Sequence, residues 1–258
     1  MTRTLWAIVM VLAATLLVAA CGGGDSATAT PADTGPAATA GVAASAPAAS
    51  GGTGIGGAVM ALEDLTSYTF AIGMAATGTA GFSFVPSDGS MTISGTAILE
   101  PEIAMDMTMS TRDAAGAEAA FGYRIIGDKA YVSLGTDMWI ETSAEDAQST
   151  VESLKPGSFM SSFGSMDAMQ PAGDETKNGV SCTHYSGEAP AALGAMFGLP
   201  TGTWTTEAWV AKEGGYLVSA AVTGEAPGGT FTMTVDISDF NSPSNTVEAP
   251  ADFTPMGG

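Results

Sequence analysis

Apolar and polar residues alternate along most of the chain beyond residue 66. In the stretch from Glu102 to Ser110, Ile103, Met105, Met107 and Met109 face one way. Ala104, Asp106, Thr108 and Ser110 face the other, which is the two-residue period of a strand with one dry and one wet side. Phe231, Met233, Val235 and Ile237 alternate with Thr232, Thr234, Asp236 and Ser238 in the same way. Shorter runs predict strands over 68–74, 90–97, 121–126, 130–134, 138–141, 180–186, 204–211 and 216–223. Turn residues separate them: Pro86-Ser87-Asp88-Gly89, Gly127-Asp128 and Lys212-Glu213-Gly214-Gly215. Strands joined by such short turns are expected to run antiparallel. Gly73, Gly95 and Gly122, inside strands, permit sharp bends.

The period lengthens in four places. Val59, Met60, Leu62 and Leu65 predict an amphipathic helix over Ala58 to Thr66. Thr142-Ser143-Ala144-Glu145 has the form of a capping box opening a helix that stops at Lys155-Pro156-Gly157. Phe159, Phe163, Met166 and Met169 suggest another short helix, and Pro190 to Phe197 a further one with proline in its first turn.

Before all of this come two stretches of different character. Residues 1–20 hold one positive charge, Arg3, then an apolar run ending Leu17-Val18-Ala19-Ala20 against Cys21 and three glycines. That is the layout of a bacterial lipoprotein signal, in which small residues admit the peptidase and the Cys21 thiol accepts a diacylglycerol. A membrane span needs about 20 apolar residues, and this run is shorter. Residues 21–56 follow as Ala, Gly, Thr, Ser and Pro with only Asp25 and Asp33 charged, a composition expected to stay disordered. Residues 57–258 form the folded domain. The mature chain is therefore expected on the extracytoplasmic face of the cell membrane, held by its lipid.

Composition narrows the functions open to that domain. Asp and Glu number 27 against 7 Lys and Arg, a net charge of −20. Nothing is available to neutralise phosphates, so nucleic acid is excluded as a partner and anionic headgroups are disfavoured. There are 2 cysteines. With Cys21 acylated, Cys182 has no partner within the chain, and core burial must supply the stability.

Candidate chemistry is sparse. His184 is the one histidine and shares a strand face with Cys182, which suggests a thiol–imidazole pair or half a metal site. Two ligands do not complete a zinc site. A serine triad would need His184, and no Gly-x-Ser-x-Gly elbow is present. Glu207, Asp236, Asp239 and Asp106 read as solvated carboxylates. No catalytic residue, metal site or cofactor is nominated, and the chain is not expected to be an enzyme.

Several short motifs carry a resemblance. They are the first helix running into Ser67-Tyr68, Asn178-Gly179-Val180 followed by His184-Tyr185, Glu207-Ala208-Trp209-Val210 with its Gly-Gly hairpin, and Ile237-Ser238-Asp239-Phe240 before Pro243. In these and in the order of its elements the chain resembles the LppX/LprG lipoprotein family, and more distantly the LolA/LolB lipoprotein carriers, over residues 57 to 253. The resemblance implies an α+β fold: a strongly curved antiparallel half-barrel with helices across its concave side. It further implies an apolar cavity that takes the acyl chains of a lipid or acylated molecule. The residues expected to line it are Phe70, Ile72, Met105, Met107, Met109, Phe159, Phe163, Met166, Phe231, Met233 and Val235, methionine suiting a wall that repacks around varied ligands. The reading that follows is an envelope lipoprotein that binds or shuttles lipids. The alternative is a sensor or scaffold that uses the same half-barrel to hold an envelope protein, with no lipid ligand.

Overall fold

The computed structural model describes residues 58, 61–62, 64–78, 85, 87–133, 135, 138–142, 169–188, 202–226 and 228–255. All of them fall in the unit running from Ala43 to Gly258. Twelve strands account for their regular structure: β1 (Ser67–Gly78), β2 (Ser90–Ile98), β3 (Ala104–Arg112), β4 (Glu118–Ile126), β5 (Lys129–Ser133), β6 (Trp139–Thr142), β7 (Gln170–Lys177), β8 (Val180–Glu188), β9 (Thr203–Ala211), β10 (Leu217–Ala226), β11 (Gly229–Ser238) and β12 (Phe253–Thr254).

They build one open, curved sheet in the order β12-β6-β5-β4-β3-β2-β1-β11-β10-β9-β8-β7. Two meanders run outward from a central pair. From β1 the chain steps strand by strand to β6; from β7, on the opposite edge, it steps back to β11, which pairs antiparallel with β1 from Thr69↔Ser238 to Gly78↔Gly229. Only β12 runs parallel to its neighbour β6.

The α+β expectation is corrected by this arrangement. Among the described residues the elements are strands alone, with Ala58 the one residue in helical conformation. The helical spacing of Leu62 and Leu65 is used in a turn, closed by Leu65 N–H donating to the Leu62 carbonyl at 3.3 Å. Both leucines are buried, at 1% and 3% exposure. In the described residues of that stretch the chain turns directly into β1, and the turn buries both leucines. Of the helices expected from Thr142 to Gly157, over Phe159 to Met169 and over Pro190 to Phe197, only Thr142, which ends β6, and Met169, buried just before β7, are among the described residues.

The junction of the two meanders is fastened by the Ile237–Phe240 motif and the asparagines after it. Asp239 and Asn241 both have φ of 51°, a left-handed turn that asparagine and aspartate tolerate. This aims Asn241 Oδ1 back at β1, where it accepts from Thr66 N at 2.7 Å, Thr66 Oγ1 at 2.9 Å and Ser67 N at 3.3 Å. Asn245 Nδ2 donates to Ser67 Oγ at 3.0 Å and to the Asp239 carbonyl at 2.7 Å.

Both sheet edges are blunted against further pairing. On one, the short β12 covers β6. On the other, β7 is exposed along nearly its whole length, broken by an irregularity between Pro171 and Gly173, and carries Asp174, Glu175 and Lys177.

Candidate functional site

Strand register gathers the methionines and many of the other apolar residues of the sheet on one face. Residues directly opposite in antiparallel strands share a face. One row crosses seven strands: Ile237 (β11), Phe70 (β1), Gly95 (β2), Met107 (β3), Tyr123 (β4), Val132 (β5) and Ile140 (β6). A parallel row runs Ala208, Ala220, Val235, Ile72, Ile93, Met109 and Phe121. A third runs Thr206, Val222, Met233, Met74 and Met91. The two long rows are about 29 Å across at the usual strand spacing of roughly 4.8 Å.

Exposure along these rows is graded. On the β9–β11 side the face is core: Ala208, Ala220, Val222, Phe231, Met233, Val235 and Ile237 are all buried. Past β1 it opens. Phe70, Ile93, Met107, Met109, Phe121, Tyr123 and Val132 are half-buried, and Ile140 and Met138 stand exposed at 42% and 61%. The β2–β6 half of the apolar face is the candidate site. A strip of methionine, aromatic and β-branched side chains there remains partly open to solvent.

The described members of the expected lining all lie on this one face, in two roles. Phe70, Met107 and Met109 are half-buried surface of the site, while Ile72, Met105, Phe231, Met233 and Val235 are buried at 7% exposure or less and form its floor. Phe159, Phe163 and Met166 lie outside the described residues. Sequence reasoning missed Ile93, Phe121, Tyr123, Val132 and Ile140. The alternation Phe121-Gly122-Tyr123-Arg124-Ile125 signals a shared face, but only the register Met107↔Tyr123 and Val132↔Ile140 joins that face to the methionines.

Gly95 shapes the middle of the strip. It supplies no side chain between Phe70 and Met107, and a Cβ there would overlap the Asp106 carbonyl oxygen. The backbones of β2 and β3 approach that closely only because this residue is glycine.

The opposite face carries most of the charged residues of the strands together with Tyr131, Trp139, Cys182 and Trp209. Asp106 points away from the methionines as its alternation requires. It is no free solvated carboxylate, however: Arg124 Nε donates to its Oδ2 at 2.9 Å, and the same guanidinium lies 4.6 Å from the centre of the Trp139 ring. Asp236 accepts from Asn178 Nδ2 at 3.1 Å, and Asp239 from Thr69 Oγ1 at 2.9 Å.

Cys182 and His184 do share this face, but they do not form a catalytic pair. His184 stacks on Trp209, ring centres 4.8 Å apart and planes 3° from parallel. Glu175 Oε1 lies 3.6 Å from its Nδ1 and Glu207 Oε1 3.5 Å from its Nε2, so Glu207 is not solely solvated either. Trp209 Nε1 donates to Glu175, and Lys177 Nζ sits 4.4 Å from the Trp209 ring centre. These contacts hold the edge strand β7 to β8 and β9. Cys182 is fully buried, and burial pushes its thiol above the ordinary range. That is the reverse of what a nucleophilic or metal-binding thiolate needs. Among the described residues no three His, Cys, Asp or Glu side chains are grouped so as to hold a metal ion.

No protein-family model matches the chain, and no curated protein matches it. Solved structures do. The chain is similar to the Mycobacterium tuberculosis lipoprotein LppX at 19% identity and a TM-score of 0.44, with 73% of this chain and 93% of that one covered. It is also similar to LprF from Mycobacterium bovis at 14% identity and a TM-score of 0.48, with 76% of this chain and 94% of that one covered.

Proposed function

We propose that the protein is a lipid-anchored lipoprotein on the extracytoplasmic face of the cell membrane, and that it binds and passes on lipids or other acylated molecules. It acts by holding a ligand; the buried Cys182 and the stacked His184 serve the fold. The observation that carries this reading is the graded apolar face, which is core at β11 and half-open from β2 to β6. A sheet that needed only stability would have no use for methionines and aromatics left partly in water. Met107 and Met109, flexible and polarisable, suit a surface that adapts to different chains.

Burial of alkyl chain supplies the affinity. A sixteen-carbon chain brings about fifteen methylenes at roughly 0.8 kcal/mol each, an upper bound of about 12 kcal/mol before the cost of association. The tether rests on Cys21. Two or three acyl chains there anchor stably where one is marginal.

The test has two parts. Mass spectrometry of the protein from its native membrane should find a diacylglycerol on Cys21. Organic extraction of the purified protein should release co-purifying lipid, and the stripped protein should take up a fluorescent fatty-acyl probe saturably. Absence of both extracted lipid and saturable uptake would refute the reading.

A further inference from the structure

The two edges of the sheet differ in what they show to solvent. β7 carries Asp174, Glu175 and Lys177 and no large apolar side chain. At the other edge stand Met138, Ile140 and Phe253, exposed at 61%, 42% and 39%. Among the described residues the only other large apolar side chain this open is Ile103, before β3. Phe253 pairs with Trp139 and Thr254 with Ile140, so the three lie on adjacent strands about 4.8 Å apart. The patch wraps around the edge. Ile140 ends the long apolar row that runs through Met107, Tyr123 and Val132. Phe253 lies on the opposite face beside Trp139, its ring centre 5.1 Å from that of Tyr131. A cover laid over the apolar face would shelter Ile140 and leave Phe253 in water.

We propose that the β6–β12 edge is a membrane-docking surface, which meets a zwitterionic bilayer edge-on and lets an acyl chain pass into the strip without crossing water. The inference rests on the lipid-binding reading above and supplies its route. A bilayer met edge-on takes side chains from both faces at once, and Trp139 and Tyr131 are the residue types that settle at its interface. Exposure along the strip rises toward this edge, from buried Ile237 to open Ile140, so the docked lipid and the bound one share a continuous apolar path. The proposed anchor at Cys21 keeps the membrane near. Residues 21–56, expected to link it to the domain, span roughly 30–36 Å as a coil, which gives an effective concentration of about a millimolar. A contact of a few side chains is enough at such a concentration. With a net charge of −20 the chain gains nothing from anionic headgroups, so the contact is apolar.

The experiment reconstitutes the acylated protein in phosphatidylcholine vesicles, with and without bromine along the acyl chains, and reads tryptophan emission. Once the signal is removed the tryptophans are Trp139 at the edge and the buried Trp204 and Trp209. Brominated lipid is expected to quench wild type but not Trp139→Phe. Phe253→Asp should lower the contact constant drawn from that quenching about tenfold, equivalent to about 1.4 kcal/mol, while taking up the uncharged fluorophore N-phenylnaphthylamine from solution as wild type does. Phosphatidylglycerol mixed into the vesicles should weaken the contact. With fluorophore uptake intact, the docking surface is overturned and lipid binding left standing by any of three results: no quenching of wild type, quenching undiminished in Trp139→Phe or Phe253→Asp, or a contact strengthened by phosphatidylglycerol. Undiminished quenching in Phe253→Asp would mean that a lipid held in the strip, not the bilayer, reaches Trp139. Wild type that takes up no fluorophore overturns both readings.

Discussion

Replacing Gly95 with alanine tests the geometry of the candidate site at its tightest point. A Cβ at this position would overlap the Asp106 carbonyl oxygen and come within 3.0 Å of both the Asp106 carbonyl carbon and Met107 Cα. These atoms are backbone of β3, which pairs with β2 along its full length from Ser90↔Arg112 to Ile98↔Ala104. None can rotate aside, so the two strands must part. Such overpacking costs about 1–3 kcal/mol. Alanine returns roughly 0.5–1 kcal/mol by restricting the unfolded chain. The net expectation is a loss of about 1–2 kcal/mol, or a fall in Tm of roughly 3–6 °C for a domain of this size. Gly73→Ala is the internal control. Its Cβ meets Thr234 Oγ1 at 2.9 Å, a hydroxyl that can swing away, so its stability should stay within about 0.5 kcal/mol of wild type. Urea unfolding followed by tryptophan fluorescence measures both, provided the m-values agree. If Gly95→Ala proves as stable as Gly73→Ala, the close approach of β2 and β3 is wrong, and with it the shape assigned to the strip.

Three further outcomes are expected. Met107→Asp on the half-open strip should lower the affinity for an apolar fluorophore at least tenfold (~1.4 kcal/mol), whereas Thr108→Asp on the opposite face should leave titrations unchanged. Stability should decline in alkali, because burial raises the phenol of Tyr68. The unfolded chain then ionises first, so the contribution of Tyr68 is whole below about pH 10 and drains above it by up to roughly 1.4 kcal/mol per pH unit. The buried Cys182 thiol and Tyr216 phenol are shifted the same way, so the decline begins near pH 8.5 and is shallower in Tyr68→Phe, as denaturant midpoints across the pH range will register. Asn241→Ala removes the acceptor for Thr66 and Ser67 and places a Cβ residue without a local side-chain bond at φ 51°. It should cost about 2–3 kcal/mol, with Asn241→Gly losing less because glycine accepts that φ.

What sequence alone could deliver here depends on whether a feature is local. The period-two runs at 103–109 and 231–237 predict strands directly, because each alternation is written in consecutive residues. β7 escaped detection for the same reason. Gln170–Lys177 has no apolar period, contains Pro171 and Gly173, and is a strand only because β8 offers it a ladder. β1 extends past residue 74 to Gly78 on small residues that β11 pairs, which no local pattern announces. The first amphipathic spacing was legible as a buried set, since Leu62 and Leu65 both lie in the core. The candidate site shows the limit most clearly. Phe70 and Met107 flank Gly95 through pairings far apart in sequence, so that they share a face could be expected but that they share a row could not. The partners of Asp106 and Glu207 were likewise invisible, since Arg124 and His184 reach them from neighbouring strands.

The two meanders divide the work of the sheet. Strands β9 to β11 set Trp204, Ala208, Val222, Phe231, Met233, Val235 and Ile237 in the core, each at 5% exposure or less, so that side can fix the fold. Strands β2 to β6 present residues of the same apolar kind, several of them half-buried and Ile140 exposed, and they hold much of the candidate binding surface. Because among the described strands the wings pair through β1 and β11 alone, the clasp of Asn241 and Asn245 on Thr66 and Ser67 sits where the rigid half hands its geometry to the open half. Substitutions should therefore separate by location. Changes on β3 and β4 of the apolar face alter binding at small cost in stability, changes at equivalent rows of β10 and β11 do the reverse, and changes in the clasp shift both together.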